Sequence, residues 1–113
     1  MKHVCLILFL ITVMGVLASR TQGGPVAASA RSAAQLYAKN CASCHGRDGR
    51  ANTLKAKRNH ARNISDPEWQ KRVGDERIFN SIMNGKGKMP AYGKKLSEQE
   101  IDALVTYVRG LRK

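Results

Sequence analysis

Aromatic side chains are scarce in this 113-residue chain, with one Trp, two Phe and three Tyr. A chain with so little bulk buries only a modest core and leans on a disulfide, a metal or a cofactor for stability. Cysteine is scarce as well: Cys5, Cys41 and Cys44 are the three present. That excludes a disulfide framework, because Cys5 falls in the N-terminal apolar run and the remaining two are three residues apart. Acidic residues number eight against twenty Lys and Arg, a formal charge of +12. Such a balance suits nucleic acid, anionic lipid or an acidic protein partner, and composition does not separate them. No alternating strand pattern and no internal repeat is present, which turns the reading toward an all-α domain. Also missing are a G-x-S-x-G elbow, a phosphate-binding P-loop, a dinucleotide fingerprint and a Ser/His/Asp signature, so the common hydrolase, NTPase and dehydrogenase chemistries have no foothold.

What is present begins with an address. Lys2 supplies a positive start, Val4–Ala18 is an uncharged apolar run of 15 residues, and small residues follow at Ala18 and Ser19. A bilayer span needs about 20 residues, so 1–18 reads as a secretory signal peptide and not as an anchor. Cleavage is expected after Ala18, with Ala28-Ser29-Ala30 as a later alternative. Removing Lys2 lowers the charge from +12 to +11, and export makes chromosomal DNA an improbable partner. Residues 19–29, rich in Gly, Ala, Ser and Thr, read as a flexible lead-in, and 30–113 as one folded domain.

Within that domain a helix is expected from about Ala30 to Ala42, capped by Ser29 or Ser32 and delivering Cys41 at its C-terminal end. Residues 46–65 carry six Lys or Arg and one acid, Asp48, and read as a long solvated loop. Helical spacing resumes at Asp75 with Ile78, Phe79, Ile82 and Met83, and stops at Gly85. Ser97-Glu98-Gln99-Glu100 is a capping box followed by Ile101, Leu104, Val105, Val108 and Leu111 on one face. Three or four helices joined by substantial loops suggest a chain wrapped around something.

Cys41-Ala42-Ser43-Cys44-His45 has the C-x-x-C-H form of covalent haem attachment. Two thiols one helical turn apart can add to the two vinyl groups of a porphyrin, which brings His45 beneath the iron. Other readings are a thiol redox pair, which would sit near a βαβ pattern; a zinc site, for which further Cys ligands are missing; and a plain disulfide. Met89, flanked by Gly87 and Pro90, is the candidate for the second axial position: its thioether is soft and neutral, and opposite His it raises the haem potential. His60 and an open site are the alternatives, while Met83 fits a core filler better.

These stretches together resemble a class I cytochrome c of the short bacterial, single-haem type, over about Ala33 to Leu111. The resemblance rests on Leu36-Tyr37, Cys41-Ala-Ser-Cys-His-Gly46, Ser65-Asp-Pro-Glu-Trp-Gln70, Asp75-Glu-Arg-Ile-Phe79, Met89-Pro-Ala-Tyr-Gly93 and Leu96-Ser-Glu-Gln-Glu-Ile101. It implies the small cytochrome c fold, with first and last helices crossing near Ala33, Tyr37, Leu104 and Tyr107 around one covalently bound haem c. It further implies a one-electron carrier and not an enzyme, with Cys41, Cys44, His45 and Met89 binding the cofactor and His45 and Met89 holding its iron. Family members often carry a loop proline whose carbonyl receives the His ring N–H; residues 46–66 contain none, which leaves the acceptor for His45 open. Trp69 is either apolar bulk beside the haem or a donor to a propionate, and Tyr92 a cover beside Met89. Expected partners are larger redox proteins with acidic docking surfaces, met by Lys86, Lys88, Lys94 and Lys95; contact with a membrane is expected only through them, nucleic acid is not expected, and the protein is expected to be a periplasmic monomer. An open-site haem enzyme and a basic lipid- or nucleic-acid-binding module are the rival classes.

Overall fold

The computed structural model describes residues 31–113. The expected signal peptide, the lead-in and the start of the first helix at Ala30 lie outside the described residues. Six helices follow in order: α1 Ala33–Asn40, α2 Ala42–His45, α3 Leu54–Asn59, α4 Pro67–Arg72, α5 Asp75–Asn84 and α6 Glu98–Gly110. Among the described residues there is no strand, only an isolated bridge between Lys86 and Met89.

Local chemistry explains where these helices start. Ser32 caps α1 in a reciprocal box with Gln35, and Ser97 does the same for α6 with Glu100, so each pair satisfies two N–H groups that a helix start leaves bare. Thr53 caps α3 through the Ala56 N–H, and Asp66 caps α4 through the Trp69 N–H ahead of Pro67. Gly74 precedes α5, whose first turn carries Asp75 and Glu76 against the positive end of the helix.

Two expectations are corrected here. Residues 46–65 are not a continuous solvated loop, since α3 lies within them and turns Ala56 into the interior. Among the described residues there are six helices where three or four were expected, because α2, α3 and α4 are only four, six and six residues long. Each holds too few apolar residues to show a helical period; Thr53 and Asp66 cap α3 and α4, while α2 has no side-chain cap.

The core is built where α1 and α6 cross, with α5 packed against α6. Leu36, Tyr37, Ile101 and Leu104 are fully buried there, and Ile78, Ile82, Val105 and Val108 nearly so. Burying a side chain of this kind stabilises by at most about 1.5–3 kcal/mol. The rings of Tyr37 and Tyr107 lie 4.9 Å apart across the crossing, at two of the positions named from the resemblance. Polar ties close the rest. Arg109 on α6 donates to Asp75 Oδ1 (2.6 Å), to the Gln70 carbonyl (2.7 Å) and to the Val73 carbonyl (2.5 Å), which joins the end of α4 to the start of α5.

Candidate functional site

Helix α1 hands over directly to the cysteine motif. Cys41 stays in the right-handed region with a widened φ (φ −115°, ψ −39°), its N–H reaches the Tyr37 carbonyl, and its own carbonyl accepts the His45 N–H at 2.9 Å. Cys41, Cys44 and His45 thus share one helical turn. Gly46 ends it at φ +78°, where a Cβ would stand 3.0 Å from Asp48 Oδ1. The Tyr37 hydroxyl donates to the Gly46 carbonyl at 2.8 Å, so one buried residue holds the motif at both ends, by its backbone carbonyl at Cys41 and by its hydroxyl at Gly46. Thr53 Oγ1 reaches the carbonyls of Ser43 and Cys44 at 3.0 and 3.2 Å, which fastens α3 to the same turn.

His45 Nδ1 lies 2.9 Å from the Arg62 carbonyl oxygen. A carbonyl only accepts, so Nδ1 carries the proton and Nε2 keeps its lone pair for a metal. This answers the question the missing proline raised: an ordinary backbone oxygen in the segment after α3 takes that place. Both thiols are free and half-buried. Burial first, then the neighbouring Cys44, pushes the Cys41 thiol up to about 11, so a free Cys41 is a poor thiolate near neutral pH.

Met89 sits on a tight turn. Lys86 and Met89 exchange N–H to carbonyl bonds, both 3.0 Å, around Gly87 at φ +58°. Gly85, at φ +74°, has the Met89 carbonyl so near that a Cβ would stand 2.7 Å from it. Met83 packs under Gly93 and beside the core, the filler role expected of it. The Tyr92 hydroxyl donates to the Asn40 carbonyl at 2.8 Å, which ties the Met turn to the end of α1. Burial, then the thiols of Cys41 and Cys44, raises the Tyr92 hydroxyl above its ordinary pKa.

Cys41, Cys44, His45 and Met89 all line one cavity of about 900 Å³. Its apolar wall comes from Ile78, Ile82, Leu104 and Val108, with Tyr37 and Trp69 adding aromatic surface. The Trp69 indole N–H makes no hydrogen bond to a described residue, which leaves it available to a group in the cavity. His60, left-handed at the end of α3, is exposed and also reaches the lining. Every Lys or Arg on the lining (Lys55, Arg62, Arg72, Arg77, Lys86, Lys88) stands there without a carboxylate beside it in the wall. Sequence reasoning missed the Arg62 carbonyl, the Tyr92–Asn40 tie and the buried Gln70, which joins the Ile64 and Val108 carbonyls. Backbone acceptors carry no residue-type signal, and a lone Gln reads as surface.

The donor set fits a planar, apolar, covalently attached group with an iron centre. The thiols are unlinked, one imidazole nitrogen is free for a metal, a thioether faces the same space, and the volume lies in the range of cofactor pockets. Among the described residues no three His, Cys, Asp or Glu side chains gather as a metal cluster.

Comparison with known proteins agrees. The sequence model of the family described as cytochrome c oxidase, cbb3-type, subunit III matches residues 28–108. The chain is 37% identical to the cbb3-type cytochrome c oxidase subunit FixP of Azorhizobium caulinodans, over 74% of its own length but only 27% of that protein's. It is 35% identical to cytochrome c6 of Gloeothece citriformis, covering 73% of this chain and 71% of the relative. Among solved structures, the KustC0563 c-type cytochrome superposes with a TM-score of 0.68 at 38% identity, covering 73% of this chain and 99% of that one. The chain therefore belongs to the cytochrome c family, as a small monohaem cytochrome c whose cofactor is covalent haem c.

Proposed function

We propose that this protein is an exported carrier of single electrons, with haem attached through Cys41 and Cys44 and its iron held between His45 and Met89. The observation that carries the reading is His45 itself: its Nδ1 proton is committed to the Arg62 carbonyl on the wall that Met89 also lines, so Nε2 is left as the ligand. When bound, the haem supplies a one-electron ferric/ferrous couple. The chain's own residues do the rest. With both His45 and Met89 holding the iron, no position would remain for oxygen, peroxide or a substrate, which favours outer-sphere transfer. The thioether is neutral and favours the ferrous state, while the Arg62 carbonyl increases the donor strength of the imidazole and favours the ferric one. Ile78, Ile82, Leu104 and Val108 keep water from the interior side, and a dry, close-packed wall changes little between oxidation states.

Partners are read from charge. The cations of the cavity lining, with Lys94 and Lys95 beside the Met turn, form a positive rim that suits larger redox proteins carrying acidic docking surfaces. Such complementarity raises the encounter rate more than the affinity, as a carrier that must let go requires. Family members act typically outside the cytoplasm, and the reading of residues 1–18 as a signal peptide supports export to the periplasm. The named role of FixP as an oxidase subunit supports a second reading, a module of a respiratory assembly. A free shuttle sediments as a monomer after cell breakage; an assembly module remains with larger particles.

The deciding experiment is the optical spectrum of the protein exported in a host able to attach haem. A low-spin c-type spectrum with the weak far-red band of Met-ligated ferric haem, lost in Met89→Ala, is expected. A high-spin spectrum of the unsubstituted protein would overturn the ligand pair, and the absence of attached haem would overturn the whole reading.

A further inference from the structure

The acceptor of the His45 proton lies in a segment that no proline stiffens, since residues 46–66 contain none. Other bonds hold it. Upstream, the Ala61 N–H reaches the Ala56 carbonyl at 2.9 Å; downstream, the Ile64 N–H reaches the Gly49 carbonyl at 2.8 Å. Asn63 Oδ1 accepts from the Ser65 N–H and hydroxyl at 3.0 and 2.8 Å. Lys113 donates its N–H to the Ser65 carbonyl at 3.3 Å and Ile64 is itself buried; the side-chain hold from α4 is Gln70, only 6% exposed, whose Nε2 donates to the Ile64 carbonyl at 2.7 Å and to the Val108 carbonyl at 2.9 Å.

An amide is a costly choice for a buried position, because its polar atoms lose water and its rotamers are frozen. An apolar side chain of the same size would fill the space. What it would not do is clamp the carbonyl two residues beyond Arg62 to α6, the last helix of the core. We propose that Gln70 is a positioning residue for the axial histidine: through Ile64 it fixes where the Arg62 carbonyl stands, and thereby the orientation and donor strength of the His45 ring. This rests on the reading of His45 as the iron ligand. The clamp takes over the stiffening that a ring residue at position 62 would provide, and the Arg62 N–H makes no hydrogen bond to a described residue that a proline would break.

The test uses the haem-loaded protein and Gln70→Met, which keeps the volume and removes both donors. Its reduction potential should rise, because a weakened Nδ1–H bond makes the imidazole a poorer donor to ferric iron. Solvent exchange of the His45 Nδ1 proton, followed by nuclear magnetic resonance, should accelerate about tenfold, as expected for losing roughly one hydrogen bond's worth of protection. Adding Arg62→Pro should return both readouts toward those of the unsubstituted protein. A Gln70 that merely cements the core would lower the melting temperature while leaving the potential and the ring exchange unchanged, and that result overturns the proposal. If Gln70→Met fails to take up haem, Gln70→Asn keeps an amide that reaches only one carbonyl. Intermediate shifts in both readouts support the proposal, and unchanged values overturn it. A failure of the His45 reading looks different, since the unsubstituted protein would then lack the low-spin spectrum from the outset.

Discussion

Tyr37 concentrates several constraints in one side chain. Its ring closes the α1–α6 crossing and its hydroxyl holds the carbonyl that ends the cysteine turn. Burial, before the charges of Cys41, Tyr107 and Asp48, keeps that hydroxyl protonated far above its usual range. Tyr37→Phe should leave the ring packing intact and take from the Gly46 carbonyl the shorter of its two donors, the Gly49 N–H at 3.2 Å remaining, costing about 1 kcal/mol and lowering the melting temperature by roughly 4–8 °C. Gly85 is the second sensitive residue. Gly85→Ala adds a Cβ against the Met89 carbonyl at a left-handed φ, which should cost about 1–3 kcal/mol. A displaced Met89 should appear as a weakened far-red band, whereas the same substitution at Gly74, with open space around its Cβ, should leave the spectrum unchanged. At this scale motif and flanking residues single out Cys41, Cys44, His45 and Met89, and the structure gathers them on one cavity. They do not single out the Arg62 carbonyl, because it belongs to the backbone and any residue could present it.

Helix α6 shows how an element's ends respond to pH. Glu100 closes the box with the Ser97 N–H at 3.0 Å and pairs with Arg31 at 2.8 Å. The Ser97 backbone bond first, and Arg31 after desolvation is overcome, lowers its pKa from 4.5. A carboxyl depressed in the folded state contributes stability that is present above the unfolded value and lost as pH falls through the folded one. Melting temperatures between pH 6 and 3 should therefore fall more steeply for the unsubstituted protein than for Glu100→Gln, with the difference confined below about pH 4.5, the ordinary carboxylate range. Ser97→Ala should lower stability by about 1 kcal/mol at neutral pH by removing the cap. Helices α5 and α6 were readable because their apolar residues recur over 10 and 13 residues. Helices α3 and α4 were not. Six residues give less than two turns, too short for a period, and α3 exists because Thr53 caps it and the interior accepts Ala56.

For the whole molecule, the excess of cations is the property a partner meets first. Reduction or oxidation by an acidic redox protein should slow steeply with ionic strength, because screening at 0.15 M reaches about 8 Å. Reversing the charge of Lys86, Lys88, Lys94 and Lys95 together should slow transfer at low salt by tenfold or more while leaving the optical spectrum unaltered, as steering gains span about 10–10³. Equal rates at low and high salt for both proteins, in stopped-flow mixing, would remove the steering. Lys88 also donates to the Arg58 carbonyl at 3.0 Å, so the Met turn and α3 present their charges as one surface.

Covalent attachment chemistry, the helical class and the strength of the charge could be read along the chain, because each depends on residue type and spacing over a few positions. The cavity, the acceptor of the His45 proton and the clamp at Gln70 could not. They depend on residues 17, 38 and 52 positions apart being brought within hydrogen-bond reach, and such meetings arise only when α1, α5 and α6 pack, since no local pattern records which backbone oxygen a distant side chain will find.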